Sequence, residues 1–329
     1  MNGNIDLFAG LSGDADGALA DPGTFNRAYA AACEAAPLEG HLKNASALHT
    51  EAIKLRLREK PFARAILPPK NVNDTHIDRS LDHDLPRIIE DMEPAFRKPR
   101  VVPFGQPPET TPSNGQKFEV VFYELQSPEF IFQIDRLKTY RMDLRQLTTD
   151  AMLMDLGELE DKCFLSLTDR VNGQASGVGL SGVQQHSIVD GAITRSTWKN
   201  VASNLGDRLL NLGVTLMNRR TSREFEGWDH DQLGGPLAEK VFTEGSKAFS
   251  KFTPGGLPTI VTINNHLVPN GWVYQFTEPA YLGRFYIWSD VSVYVERKRD
   301  FIRQSASQKI GITLANVNGT HLTRFLQMT

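Results

Sequence analysis

The chain is poor in the features that usually mark chemistry or export. It has two cysteines in 329 residues, Cys33 and Cys163. Two thiols this far apart exclude a disulfide framework and point to a reducing compartment. No window approaches the roughly 18–20 apolar residues needed to cross a bilayer. Met1 to Gly10 shows no basic stretch followed by an apolar run, so no signal peptide is expected. The Asn-x-Ser/Thr triplets at Asn44, Asn73 and Asn318 then read as chance matches. Neither sign of charge is in excess: the net charge is -3 and the pI about 6.3. Proteins that neutralise many phosphates are strongly basic, so tight binding to DNA over a broad face is not expected.

Motifs are equally scarce. No G-x-S-x-G, H-E-x-x-H, Walker loop or Cys–His zinc spacing occurs. Gly177-Val178-Gly179-Leu180-Ser181-Gly182 matches G-x-G-x-x-G, but a helical pattern precedes it and none follows, so it reads as a loop. Ser196-Thr197-Trp198-Lys199 reads as a helix start. Asp74, His76, Asp78, Asp82, His83 and Asp84 are the densest acid–histidine cluster. Their spacing fits no standard metal site, and Arg79 and Arg87 intervene, so an ion-pair surface is the plainer reading. Asp14-Ala15-Asp16-Gly17 starts like a calcium loop but places its glycine two residues early. Trp228-Asp229-His230-Asp231 reads as a loop contact, and Glu296-Arg297-Lys298-Arg299 as a solvated strand edge. No catalytic residue, cofactor or metal ligand is expected, and the chain is read as a non-enzyme.

What the chain does have is a globular composition, 40% apolar and 23% charged, and a strong pattern of strands near its end. Thr259–Ile263, Trp272–Phe276, Tyr281–Trp288, Val291–Val295 and Ile310–Leu314 are rich in β-branched and aromatic residues. Earlier, residues 1–40 read as an extended or partly helical arm, and His41–Lys60 as an amphipathic helix stopped by Pro61. Ten of the 18 prolines fall between Pro61 and Pro112. Yet Ile88, Ile89, Met92, Phe96, Val101, Val102 and Phe104 are too apolar for a solvated linker. Lys117–Glu124 alternates as a strand, with Pro99–Phe104 as its expected antiparallel mate and Gly105–Gln116 as a polar tip. Such a ribbon is barely stable alone and should lie on something.

Arg141–Arg170 is the strongest helix, with Tyr140, Leu144, Leu147, Ala151 and Met154 on one stripe and Leu156, Leu159, Cys163 and Leu167 on a shifted one. A rod this long suits a flat, elongated subunit. Ser196 or Thr197 is expected to cap a second helix carrying Trp198, Val201, Leu205, Leu209, Leu212 and Leu216, and Pro236 to open a third.

The cadence Trp288-Ser289-Asp290-Val291-Ser292-Val293, Phe301-Ile302-Arg303, Ser307-Gln308-Lys309-Ile310-Gly311-Ile312 and Ala315-Asn316-Val317-Asn318-Gly319 resembles the closing strands of tailed-bacteriophage major capsid proteins. Asp84 to Pro94 resembles them too. The order of elements looks like the Hong Kong 97-type capsid fold, an α+β fold. The resemblance implies an arm with one helix over 1–70 and a proline-rich segment with an extended E-loop ribbon over 71–135. It implies a peripheral domain opened by a spine helix over 136–178, an axial domain over 179–287 and closing peripheral strands over 288–329. Within these, Pro99–Phe122 corresponds to the E-loop and Arg141–Arg170 to the spine.

Function follows the same resemblance: pentamers and hexamers of an icosahedral virion shell around double-stranded DNA, bound without sequence specificity. Implied partners are further copies of the chain, a separate scaffolding protein, a portal, and decoration or cement proteins, with no membrane. The implied location is the virion, after synthesis in the host cytoplasm. Val101, Val102, Phe104, Phe118, Val120 and Phe122 are expected to be intersubunit contacts, because a two-stranded arm cannot bury them alone. Lys98 and Lys117 flank the ribbon, and Asn316 and Asn318 lie near the closing strands; nothing in their spacing demands an isopeptide bond. An encapsulin-type nanocompartment shell and a cytosolic α+β hydrolase are the competing readings.

Overall fold

A 29-residue helix, Leu144–Asn172, is the longest helix among the described residues, about 43 Å at 1.5 Å per residue. This computed structural model describes residues 22–35, 39–42, 61–78, 85–92, 116–139, 144–173, 185–228, 239, 252–253 and 257–327. The long helix lies close to its expected bounds, but its buried face differs from the expected stripe. Leu147 and Met154 are exposed, and the inward face carries Met152, Leu153, Leu156, Glu160, Asp161, Phe164, Leu165 and Thr168. Two carboxylates on the inward face disguise it in the sequence.

The chain divides into two compact units. The first takes residues 1–65, 124–163 and 289–310. Residues 289–298 of the strand Arg284–Lys298 and 301–310 of the strand Phe301–Thr313 supply its central strands, neighbours in one sheet. Glu39–His41 pairs with the first strand at Glu296–Lys298, and Phe130–Gln133 with the second at Phe301–Gln304. His41 therefore stands in a strand, not at a helix start; 43–60 lie outside the described residues. Ser289-Asp290, read as a break, lies inside the 15-residue strand Arg284–Lys298. Val291, Val293, Val295 and Arg297 are buried on it while Ser292 and Tyr294 are exposed, the period of two of a half-buried strand. The helix Pro22–Ala35 packs on the turn Ile134–Leu137. Arg297, expected in solvent, is buried and donates to the carbonyls of Cys33 and Glu34, which close this helix's last turn. Burial pushes the Cys33 thiol up to about 12, against the pull of Arg297.

A polar network is locked into this unit. Arg64 forks onto Glu160 with Nε–Oε1 2.8 Å and Nη2–Oε2 3.0 Å, and Gln308 Nε2 donates to the same Oε2 at 3.1 Å. Asp161 accepts from the Ala63 amide at 2.9 Å. One guanidinium thus faces two adjacent buried carboxylates, and burial pushes Asp161 up to about 8, with Glu160 adding to the rise and the Ala63 amide and Arg64 opposing it. The folded state therefore holds this proton more tightly than an unfolded chain, where an Asp titrates near about 3.9. Stability from this group is complete below the unfolded value and is lost as pH rises through the folded one. Urea unfolding of Asp161→Asn against the parent should show a flatter decline between about pH 5 and pH 8. Parallel curves would contradict the assignment.

The second unit takes residues 66–123, 164–288 and 311–329. Its mixed sheet runs in the order His186–Val189, Thr320–Phe325, Trp272–Thr277, Leu212–Asn218, Leu257–Thr262, Phe252–Thr253. His186–Val189 runs parallel to Thr320–Phe325 and Leu257–Thr262 parallel to Leu212–Asn218, while both contacts of Trp272–Thr277 and the edge contact of Phe252–Thr253 are antiparallel. Thr320–Phe325 is an inner strand of this sheet, between His186–Val189 and Trp272–Thr277. One sheet face, Met217, Val273 and Phe325, is sealed by Ile193, Trp198, Val201 and Phe225. The other meets the end of the long helix, where Phe164 packs on Phe276 at 5.4 Å and the Tyr274 hydroxyl donates to Asp169 at 2.9 Å.

Thr194, not Ser196 or Thr197, caps the helix Arg195–Ser203, in a reciprocal box with Thr197. That helix stops short of its expected end. Leu209 is outside it, and Leu212 and Leu216 stand in the strand Leu212–Asn218. Pro236 and the Gly177–Gly182 motif lie outside the described residues.

Candidate assembly surface

The ribbon is built from residues that alternate. Arg87–Met92 pairs antiparallel with Gln116–Val121, from Arg87 opposite Val121 to Met92 opposite Gln116. The described mate of the predicted strand is Arg87–Met92; Pro99–Phe104, its expected mate, lies outside the described residues. Ile88 faces Val120 across the ribbon, and both are buried in a cluster with Phe122 and Tyr286, ringed by Val72, Phe118 and Trp288. Phe122 meets Trp288 edge-on at 5.8 Å, and Trp288 Nε1 donates to Asp74 at 2.6 Å. Gly311 permits this approach. A Cβ there would stand 3.0 Å from Val120 Cγ1 and 3.2 Å from Phe122 Cδ1. Arg284 ties the ribbon down through Glu90 at 3.2 Å.

The opposite face of the ribbon is wet. Ile89 is exposed between Arg87–Glu119, paired at 3.0 Å, and Lys117–Asp91, at 3.8 Å. Exposed pairs of this kind contribute little stability, so this face is a surface and not a core.

Of the six expected contact residues, Val120 and Phe122 are 0% and 1% exposed within their own chain. They anchor the ribbon to its own unit and have no surface left for a neighbour. Phe118 is half-buried beside them. Val101, Val102 and Phe104 lie outside the described residues. The apolar character of Ile88 is likewise met within the chain.

Sequence reading gave no sign of a second constellation, in which His321 meets partners 113 and 134 residues away. Ser187 Oγ lies 3.0 Å from His321 Nε2, and Arg208 Nη2 lies 2.8 Å from His321 Nδ1. A guanidinium only donates. His321 Nδ1 must accept from it, so the ring proton sits on Nε2 and points at Ser187. A serine nucleophile needs the reverse, a bare Nε2 oriented by an acceptor at Nδ1. Burial pushes His321 down to about 4, with the charges of Arg208 and His186 adding. The trio is a structural brace.

Other sequence candidates fall out similarly. Trp228 Nε1 donates to the Ile193 carbonyl at 3.0 Å, and the ring packs on Phe225 at 5.0 Å; 229–231 lie outside the described residues. Asp74 serves Trp288, and His76 is exposed. Asp82, His83, Asp84 and Asp14–Gly17 lie outside the described residues. Among the described residues no group of three or more His, Cys, Asp or Glu is placed to hold a metal ion.

No family model matches the chain, and no curated protein matches it. Solved structures do. A structure from Microbacterium phage Oxtober96 superposes with a TM-score of 0.56 at 11% identity, covering 81% of this chain and 91% of that one. The capsid of an empty GTA particle gives 0.55 at 12% identity, covering 80% and 89%. The chain has the fold of a phage capsid protein. A structure from Mycobacterium phage Adephagia agrees, at 0.52 and 11% identity over 82% and 91%. At such identities the likeness is one of fold, and the expected α+β class holds for this capsid fold in its helices and mixed sheets.

Proposed function

We propose that this chain is a major capsid protein of a tailed bacteriophage or a related particle. It self-assembles into pentamers and hexamers of an icosahedral shell that encloses double-stranded DNA. The observation that carries this reading is the capsid fold itself, matched over about four-fifths of the chain. The GTA capsid was computed with C5 symmetry, which supports rings of subunits. The helix Leu144–Asn172 takes the part of the spine, and the mixed sheet around Trp272–Thr277 that of the axial domain. The ribbon rooted at Arg87–Met92 and Gln116–Val121 takes the part of the E-loop. A net charge of -3 suits a wall that must not adhere to packed DNA. Scaffold, portal and decoration proteins would be its partners in the virion.

In this reading the ribbon clamps a neighbouring subunit through residues beyond its anchored base, Val101, Val102 and Phe104, with Phe118 at the margin. Burying such side chains on a neighbour gains roughly 25 cal/mol per Å² of apolar surface, repeated at every contact of a closed shell. Val102→Asp combined with Phe104→Asp is expected to leave the circular dichroism of the subunit unchanged and to stop particle formation in sedimentation velocity. Full-size particles from that variant would remove the ribbon from the interface.

A further inference from the structure

We infer that Arg208, His321 and Ser187 form an acid-released latch: a proton added to the His321 ring expels the Arg208 guanidinium and frees the two turns that it ties together. Those turns are Gly206–Arg208, ahead of the strand Leu212–Asn218, and Val317–Gly319, ahead of the strand Thr320–Phe325.

Every bond of the latch has a fixed direction. Arg208 Nη1 donates to the carbonyls of Asn318 at 3.2 Å and Thr320 at 2.9 Å, and Nη2 donates to His321 Nδ1 at 2.8 Å. His321 Nε2 donates to Ser187 Oγ at 3.0 Å, and Ser187 donates in turn to Thr323 Oγ1 at 3.1 Å. Asn204 Nδ2 reaches the same Thr323 hydroxyl at 3.5 Å. The neutral ring is thereby matched on both nitrogens. A further proton can go only to Nδ1, where it faces a guanidinium N–H across 2.8 Å. Neither cation has an acceptor to offer the other. One protonation therefore removes a bond, sets two positive charges in contact and draws the shared guanidinium off Asn318 and Thr320.

The groups packed around the ring reinforce this. The turn contributes Arg208, with Asp207 acting on Arg208. The strand His186–Val189 contributes Ser187 and a second titratable ring, His186, on which Arg324 acts. The strand Trp272–Thr277 places neutral Gln275 opposite His321, and the helix Arg195–Ser203 meets this network through its neutral cap, Asn204. Arg195 and Lys199 on that helix are exposed. His321 is buried, and burial, then the charges of Arg208 and His186, push it down to about 4. Released into water, the ring titrates near about 6.5. A group depressed in the closed state favours the open state as pH falls. The closed latch is complete above about pH 6.5 and loses about tenfold per pH unit below it, down to about pH 4.

Hydrogen exchange of the full chain, read by mass spectrometry on peptides covering 205–211 and 316–321, tests the latch. These peptides report the Leu209 amide, which donates to Gly206 at 2.9 Å, and the Gly319 amide, which donates to Asn316 at 3.0 Å. Corrected for intrinsic rates, their protection should fall about thirtyfold between about pH 7.5 and about pH 5, while the strand Leu257–Thr262 keeps its own. His321→Gln offers an acceptor to Arg208 and a donor to Ser187 without titrating, and should keep its protection at both pH values. Unchanged protection in the parent, or an equal loss in His321→Gln, would overturn the latch. Nitrogen NMR of the parent's imidazoles is a second reading that needs no variant. A neutral His321 protonated on Nε2 at about pH 7.5 is expected, and a proton on Nδ1 would overturn the latch as well.

Discussion

Gly283→Ala is expected to prevent the second unit from reaching its native packing. The Cβ would stand 2.2 Å from the Thr313 carbonyl oxygen and 3.0 Å from Leu314 Cα, both backbone atoms that cannot rotate away. Gly283 separates the turn Pro279–Leu282 from the strand Arg284–Lys298, and its backbone is extended, so the demand is for space and not for an unusual φ. Overpacking in a well-packed interior costs about 1–3 kcal/mol and sometimes more. A backbone clash with no side chain to yield belongs at or above the top of that range. Soluble yield and a urea midpoint close to those of the parent would show that the two segments separate more easily than this geometry implies.

Arg64→Ala is expected to cost about 3–5 kcal/mol. The side chains of Arg64 and Glu160 are 6% and 0% exposed, so removing the guanidinium strands a carboxylate where water cannot reach it. Gln308 remains as a single neutral donor to it. Against the 5–15 kcal/mol that holds an ordinary domain, the loss is large. Arg64→Met with Glu160→Leu should recover most of it, since an apolar pair of similar volume replaces a buried ion pair with little penalty. Urea unfolding of the two variants distinguishes the cases: equal losses would mean that the site depends on shape and not on charge.

These two sites mark the limit of what the residues disclosed. Elements with their own periodicity were legible: the long helix within three residues of its observed bounds, and the strands around Ile260, Tyr274 and Val293. Partners distant in sequence were not. Lys117–Glu124 was readable as a strand, but its pairing with Arg87–Met92 was not, because Ile88 and Ile89 show apolar character without showing what covers it. Leu209, Leu212 and Leu216 continue a helical spacing on paper. In the fold, Gly206 and the left-handed Leu209 end that run, and Val214 and Thr215 favour the strand that follows. Glu160, Asp161 and Gln308 look like surface residues in any linear reading. Their burial depends on Arg64, 96 residues from Glu160, and on a strand 148 residues beyond it. Val120 and Phe122 were rightly seen to need burial, and their own chain supplies it.

As a shell subunit, the role proposed above, the chain assembles into closed particles. Electron microscopy of the full chain expressed alone and together with its candidate scaffold tests that most directly. Closed particles with five-fold vertices, in which the helix Leu144–Asn172 and the ribbon at Arg87–Met92 can be traced, are the expected result. A protein that stays monomeric or dimeric under both conditions, at concentrations where its fold is intact, would contradict it.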